Sequence, residues 1–304
     1  MTIAVAVKVG DGVVLGSDSA STLAGPDGVI NVYFNAEKIV NLVKGLPLGM
    51  IAYGLGGLSG RSVTALAKDL RRRLSSADPK WRLDPTAYSV ESVASKVVEF
   101  FYEEHYRKEY PRKATDSKGV LVDKWDVMGF FVVGFSADSD HSEVWAIEID
   151  VTGKCQGPQC ILDQGASGSA VWAGAPEALN RLIRGVSSQV RAGLISSGIS
   201  AADVDKFLGT RVLEPLVVSG MPIQDAIDLA KYMVDVTIGF VRFAPGAPTV
   251  AEPVDIAAIT KHEGFRWVRR KHYYSLELNP GLPVIGSSFP WPTQGEQNDV
   301  PAAE

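Results

Sequence analysis

The chain has few of the residues that build metal sites and disulfide frameworks. Its 304 residues include only two cysteines, Cys155 and Cys160, and four histidines. A structural zinc site needs four ligands, and the cysteines have no histidine nearby. The histidines are scattered without ligand spacing, which favours surface positions. We therefore predict no metal, no cofactor and two reduced cysteines, although the sequence leaves a bond between the two cysteines open.

Signals for membrane insertion and for nucleic-acid binding are also missing. No apolar run approaches the ~20 residues of a membrane span, and the start of the chain lacks the basic region of a signal peptide. The net charge is −5 and the pI about 5.5, with only two short basic runs, at 71–73 and 269–271. An acidic chain of this kind argues against nucleic-acid binding. We predict a cytoplasmic protein with no membrane and no nucleic-acid partner.

The chain has the composition of a globular protein, 46% hydrophobic and 21% charged, and suits one large domain. Its patterns run in the order strands, two helices, strands, three helices, strands, which predicts an α+β fold with antiparallel sheets covered by separate helix layers. We expect the domain to span 1–271, with an insertion loop at about 107–126 and a partly disordered extension at 272–304. The expected helices cover 59–75, 89–106, 171–186, 201–218 and 222–238.

The amino terminus carries a hairpin pattern, MTIAVAVKVGDGVVLGSDSAST. Apolar residues alternate from Ile3 to Val9, Asp11-Gly12 is typical of a turn, and a second apolar run leads to Asp18. The pattern predicts a strand that begins directly behind Thr2. Because a tight hairpin brings its ends together, we expect Asp18 to lie beside Thr2.

Two glycine-rich stretches resemble known motifs without matching them. GASGS at 165–169 lacks the last glycine of the nucleophile elbow G-x-S-x-G. GLGGLSG at 54–60 does not fit G-x-G-x-x-G, and no βαβ unit with an acidic strand end follows it. The sequence therefore predicts neither a nucleophile elbow nor a dinucleotide-binding loop.

Thr2 follows the initiator methionine, which is commonly removed before a small residue. Removal would leave Thr2 with a free α-amine, whose ordinary pKa is about 7.7–8.0. Such a threonine carries its own base, because the hydroxyl can attack a carbonyl while the amine takes the proton. Lys38 opens the apolar run KIVNLV, and a buried cation there would lower the effective pKa of the hydroxyl, held in place by Asp18. The alternative is that Thr2 is only a β-prone residue that opens a strand.

Four motifs strengthen the catalytic interpretation by their order along the chain. They are threonine followed by aspartate after fifteen residues, NAEKIVNL at 35–42, AYGLGG at 52–57 and GASGSAVWAG at 165–174. With these motifs the chain resembles the catalytic β-subunits of the proteasome, which are N-terminal nucleophile hydrolases. The resemblance runs from Thr2 to about Arg270.

The resemblance implies a four-layer αββα sandwich, with two antiparallel sheets between helix layers. It implies that Thr2 is nucleophile and base, that Asp18 and Lys38 support it, that the backbone N–H of Gly54 forms the oxyanion hole, and that Ser167 lies near the threonine amine. We also expect Ala52 to line the pocket for the residue before the cut, where a small side chain leaves room for a bulky apolar or basic group.

The sequence departs from the family where an Arg-Asp-x-x-Ser stretch usually follows the last long helix. This region reads GFVRFAPGAP, with Val241 near the expected aspartate. The departure, the extra loop and the extra tail indicate a bacterial proteasome homologue akin to the simple two-component protease or the Anbu group.

The resemblance thus implies a threonine peptidase that assembles with copies of itself and cleaves peptides or unfolded proteins, with an ATPase unfoldase as a candidate partner. A catalytically inactive, proteasome-like scaffold subunit and an amidohydrolase acting on small amides are the alternatives.

Overall fold

A computed structural model of the chain describes residues 2–25, 28–165, 168–211, 216–218 and 220–271, so the extension from residue 272 lies outside the described residues. The strands, in chain order, are β1 (Ile3–Val9), β2 (Gly12–Ser17), β3 (Ser21–Gly25), β4 (Gly28–Tyr33), β5 (Ile39–Asn41), β6 (Leu48–Gly54), β7 (Gly57–Leu58), β8 (Arg61–Ser62), β9 (Met128–Phe135), β10 (Ser142–Ile149), β11 (Cys155–Leu162), β12 (Ser169–Gly174), β13 (Asp255–Thr260) and β14 (Gly264–Arg269). The helices are α1 (Val63–Leu74), α2 (Val90–Val98), α3 (Arg107–Glu109), α4 (Glu177–Ile183), α5 (Ser188–Ser196), α6 (Ala201–Arg211) and α7 (Ile223–Phe243).

Two antiparallel five-stranded sheets form the centre of the molecule. The first has the order β12-β1-β2-β13-β14, and the second has the order β11-β10-β9-β6-β5. Strand β1 is buried along its whole length because both of its faces are covered. Val5 and Val7 pack in the core beneath α7, whereas Ala4 and Ala6 pack in the core between the two sheets. The fold is therefore α+β with antiparallel sheets, as the sequence predicts.

Helices pack on one face of each of these sheets. Helix α7 packs over β1 and β2 of the first sheet, and α2 packs over β9, β10 and β11 of the second. A capping box of Ser89 and Ser92 begins α2, and a π-helical segment, Glu99–Tyr106, continues it, which agrees with the predicted helix at 89–106. Ser62 caps α1 by accepting a hydrogen bond from Ala65 N–H, so the helix begins later than the predicted residue 59. None of the described helices is both long enough and apolar enough to cross a bilayer.

The predicted turn at Asp11-Gly12 is wrong by one residue. Val9 pairs with Gly12, so Gly10 and Asp11 form the two-residue loop. Gly12 also pairs with Thr260 on β13. Pairing with two neighbouring strands therefore holds Gly12 in the sheet against its local turn preference.

The predicted helix at 171–186 is wrong in its first part. Residues Ser169–Gly174 form β12, which pairs with β1 from Lys8↔Ser169 to Ile3↔Gly174. A short segment such as SAVWAG is compatible with a strand or with a buried helix. Here it forms a strand because it pairs with the edge of β1 that β2 leaves unpaired. Helix α4 begins only at Glu177, after Pro176.

The region predicted as an insertion loop starts with the short helix α3. Beyond it, residues 110–127 contain one isolated bridge, between Thr115 and Leu121. In the chain this segment lies between α3 and β9, so it interrupts neither five-stranded sheet.

Candidate active site

Asp18 follows β2 directly and is fully buried. Its Oδ1 atom accepts a hydrogen bond from the backbone N–H of Ile3 at 3.0 Å. Its Oδ2 atom accepts from the N–H groups of Ala20 at 2.9 Å and Ala251 at 3.3 Å. The carboxylate therefore holds the peptide unit that joins Thr2 to Ile3, and the structure brings the predicted aspartate next to the predicted nucleophile.

Lys38 is buried beside the same carboxylate. Its Nζ atom lies 2.7 Å from Asp18 Oδ1, and the residue is 8% exposed. The carbonyl of Lys38 accepts a hydrogen bond from Ala52 N–H at 3.0 Å, which fixes the start of β5 against β6. Burial lowers the pKa of the Lys38 ammonium, and the negative charge of Asp18 partly offsets this by raising it.

A second buried ion pair lies next to the first. Asp255 opens β13 opposite Ser17, and its carboxylate accepts a backbone hydrogen bond from Lys271 at 3.0 Å and pairs with the Lys271 ammonium. The same ammonium donates to Ser19 Oγ at 2.5 Å, one residue after Asp18. The charge of Lys271 contributes to lowering the pKa of Lys38, so the two pairs are electrostatically linked.

Thr2 immediately precedes β1 and is 5% exposed. Its carbonyl lies against Gly174, at the end of β12, where a β-carbon would come within 1.9 Å of the Thr2 oxygen. Gly174 also has a φ of +92°, a conformation that favours glycine. The Thr2–Ile3 peptide unit is therefore fixed on its N–H side by Asp18 and confined on its carbonyl side by Gly174.

A cavity of about 500 Å³ opens at this position. Thr2, Lys38, Ala52 and Gly54 all line it, so four of the predicted site residues face one space. Asp18 contacts Lys38 without lining the cavity, and Ser167 lies outside the described residues.

Gly54 ends β6 with a φ of +83°. A β-carbon there would meet the carbonyl oxygen of Val127 at 2.0 Å, and the next residue, Leu55, donates its N–H to that carbonyl at 2.8 Å. Only glycine fits this bend of the backbone along the cavity wall.

Charged side chains form another part of the wall. Glu37 lines the cavity with a side chain that is 5% exposed, and it pairs with Arg270 and with Lys68, whose Nζ lies 3.0 Å from Glu37 Oε2. Burial acts to raise the pKa of Glu37, but the hydrogen bonds and charges of the two cations together hold it below its usual value. Glu37 is therefore an ionised, fully paired carboxylate.

Sequence reasoning missed Gly174, Asp255 and Lys271. Gly174 lies in the quoted motif GASGSAVWAG, but its role depends on the pairing of β12 with β1. Lys271 ends a basic run that is better explained by ion pairs than by a nucleic-acid surface. Its partner, Asp255, lies at the far end of another strand, so no local signal could connect them.

Val241, near the expected family aspartate, lies within α7 and packs against the core of the first sheet. The segment after α7 reaches the site through the backbone of Ala251, which donates to Asp18.

Similar solved structures are those of Anbu proteins. They are Anbu, the ancestral β-subunit, from Yersinia bercovieri (15% identity, TM-score 0.47, covering 90% of this chain and 89% of that one), an Anbu Gly-1 mutant from Hyphomicrobium sp. strain MC1 (15%, 0.48, 89% and 86%), and the helical assembly of the Anbu complex from Pseudomonas aeruginosa (15%, 0.46, 90% and 88%). No protein-family model and no curated protein matches the chain.

Proposed function

We propose that this chain is a threonine peptidase of the N-terminal nucleophile class, active after removal of Met1. One observation carries the proposal. The buried Asp18 carboxylate binds both the N–H that follows Thr2 and the Lys38 ammonium, at the edge of a cavity that Thr2 and Lys38 share. Buried ion pairs add little net stability. A buried pair beside a cavity is therefore better explained by a role of its charge in that cavity than by a contribution to stability.

The proposed reaction uses only groups of this chain, the peptide and water. The Thr2 α-amine takes the proton of the Thr2 hydroxyl while the oxygen bonds to the carbonyl carbon of the peptide. The C–N bond then breaks, the departing amine receives the proton, and an ester to Thr2 remains. Water adds to this ester with the α-amine again as base, which releases the acid product and restores Thr2.

Each of the other residues has a defined part in this proposal. Lys38 supplies a positive charge that favours the developing oxyanion and the ionised hydroxyl, and Asp18 holds Lys38 and the Thr2–Ile3 peptide in register. Gly54 offers its backbone N–H to the oxyanion. Ala52 lines the pocket for the residue before the cut, and Ser167 stays a predicted neighbour of the amine.

We propose further that the two sheets and their helices make up a four-layer αββα sandwich, and that copies assemble into a ring or stack in the cytoplasm. The hairpin of β3 and β4 supports self-association, because it carries large apolar side chains that are exposed: Leu23, Val29, Ile30 and Tyr33. Enclosure within an assembly would restrict access to Thr2. Peptides or unfolded proteins are the proposed substrates, with an ATPase unfoldase as a candidate partner.

A catalytically silent scaffold is the second candidate, favoured by Val241 in place of the family aspartate. An amidohydrolase acting on small amides is the third. The substitutions Thr2→Ala and Thr2→Ser separate these functions in a peptidase assay with intact-mass control. The peptidase proposal expects no turnover from Thr2→Ala and retained turnover from Thr2→Ser, with unchanged thermal unfolding. Peptide turnover by Thr2→Ala at the wild-type rate would contradict it, and cleavage of small amides alone would favour the third function.

A further inference from the structure

The cavity beside Thr2 has an uneven distribution of charge. Its charged lining residues, among those that the structure describes, are Glu37, Lys38 and Lys68. The charge of Lys38 is balanced by Asp18 at 2.7 Å. Glu37 has two cationic partners, Lys68 inside the cavity and Arg270 behind it. The described charges of this pocket therefore leave one positive charge in excess.

Lys68 is the less firmly held of the two cations that pair with Glu37. Both Nε and Nη2 of Arg270 donate to Oε1 of Glu37, and the guanidinium lies 4.8 Å above the ring of Trp267, so Arg270 is fixed from two sides. Lys68 makes a single contact of 3.0 Å to Oε2, and its side chain is 49% exposed. If Lys68 turned toward a bound anion, Glu37 would keep its ion pair with Arg270.

The rest of the lining suits a compact polar group. Hydroxyl-bearing residues Ser21, Thr22 and Thr64 border the cavity, next to the small Ala20, Ala36 and Ala52 and the larger Tyr53, Leu55 and Val63. A basic side chain in this space would meet the Lys68 ammonium, and like charges that lose their water repel. A carboxylate would replace the water around Lys68 with an ion pair.

We propose that this cavity selects an acidic side chain, aspartate or glutamate, at the residue before the cleaved bond, with Lys68 as the specificity-determining cation. The proposal rests on the function proposed above. It differs from the sequence-based expectation that the small Ala52 leaves room for an apolar or basic group, because it takes into account the positive charge of Lys68 in the same cavity.

The test compares three fluorogenic peptides that differ only in glutamate, leucine or lysine before the cleaved bond. We expect kcat/KM to be highest for glutamate and lowest for lysine. Lys68→Gln, which keeps length and hydrogen bonding, should reduce kcat/KM for the glutamate peptide by about tenfold, the scale of a charged hydrogen bond, and leave the leucine peptide nearly unchanged. Lys68→Glu should turn the preference toward the lysine peptide.

Arg72→Gln is the matched control. Arg72 lies one turn further along α1, is 80% exposed and does not line the cavity, so its loss changes the net charge equally. It should leave all three kcat/KM values unchanged. Equal or better cleavage of the lysine peptide by the wild type, with a Thr2 adduct formed by a peptide boronate, would overturn the specificity alone. Absence of both turnover and adduct would overturn the proposed function with it.

Discussion

Replacing Gly174 by alanine tests whether catalysis depends on how the first peptide unit is held. The new β-carbon would lie 1.9 Å from the Thr2 carbonyl oxygen and 3.0 Å from its carbon, with Tyr53 Cβ at 3.5 Å on another side. Because β-carbons are essentially never found within 3.0 Å of such an atom, the Thr2 carbonyl must move by about 1.1 Å. The N–H side of this peptide is fixed by Asp18, so the movement falls on Thr2 itself.

Displacements of about 1 Å at a reacting group can cost on the order of 100-fold in rate. The left-handed backbone at Gly174 adds about 1–2 kcal/mol of strain for alanine. We therefore expect Gly174→Ala to reduce kcat and the rate of covalent Thr2 labelling by on the order of 100-fold, with a modest drop in thermal stability.

Gly10→Ala is the matched control for this substitution. Gly10 lies in the loop at the other end of β1, and nothing comes within 4 Å of a β-carbon placed there. The stability and the Thr2 labelling rate of the Gly10→Ala protein should stay at the wild-type level. A Gly174→Ala protein that folds and is labelled as fast as the wild type would refute the argument that Gly174 positions Thr2.

Three further predictions concern the buried charges. As the pH is raised, kcat/KM should first increase through the pKa of the Thr2 amine and then decrease before pH 10.5 is reached. The decrease is expected because the positive charge of Lys38 is required and its pKa is lowered from the ordinary value of 10.5. An increase that continues up to pH 10.5 would contradict this. Asp18→Asn should move the alkaline limb to lower pH, since it removes the charge that raises the pKa of Lys38, and should cost about 3–5 kcal/mol in unfolding free energy by denaturant titration, as for a broken buried pair; unchanged stability would refute the burial argument. The double variant Asp255→Asn with Lys271→Met should lose less stability than the sum of the two single losses, because each single change leaves a buried partner unpaired; strictly additive losses in a double-mutant cycle would argue against the pair.

The first hairpin was predictable because its information is local. Alternation from Ile3 to Val9 and the return run to Ser17 lie within one short stretch, so Asp18 follows at the right end of the hairpin. The sequence placed the turn one residue late, since pairing of Gly12 with β13 is not a local property. Local patterns likewise indicated α1 and α2, whose caps and apolar faces are continuous in sequence.

Long-range contacts account for what could not be predicted. Residues 169–174 form strand β12 because they pair with the outer edge of β1, which lies far away in the sequence. Nothing within residues 169–174 themselves indicates that pairing. The surplus cation in the cavity depends on Arg270 meeting Glu37 across most of the chain. A sequence motif contains Lys38, whereas no motif contains Lys68, whose position in the lining of the cavity is visible only in the structure.

Covalent labelling of Thr2 tests the central claim most directly. The protein is treated with a peptide epoxyketone, which needs a hydroxyl and a free α-amine on the same residue to close its ring, and the adduct is located by intact mass and peptide mapping. The account predicts one adduct per chain, on Thr2, only in chains that have lost Met1, and none in Thr2→Ala. An adduct on a serine, or equal labelling of chains that retain Met1, would contradict it.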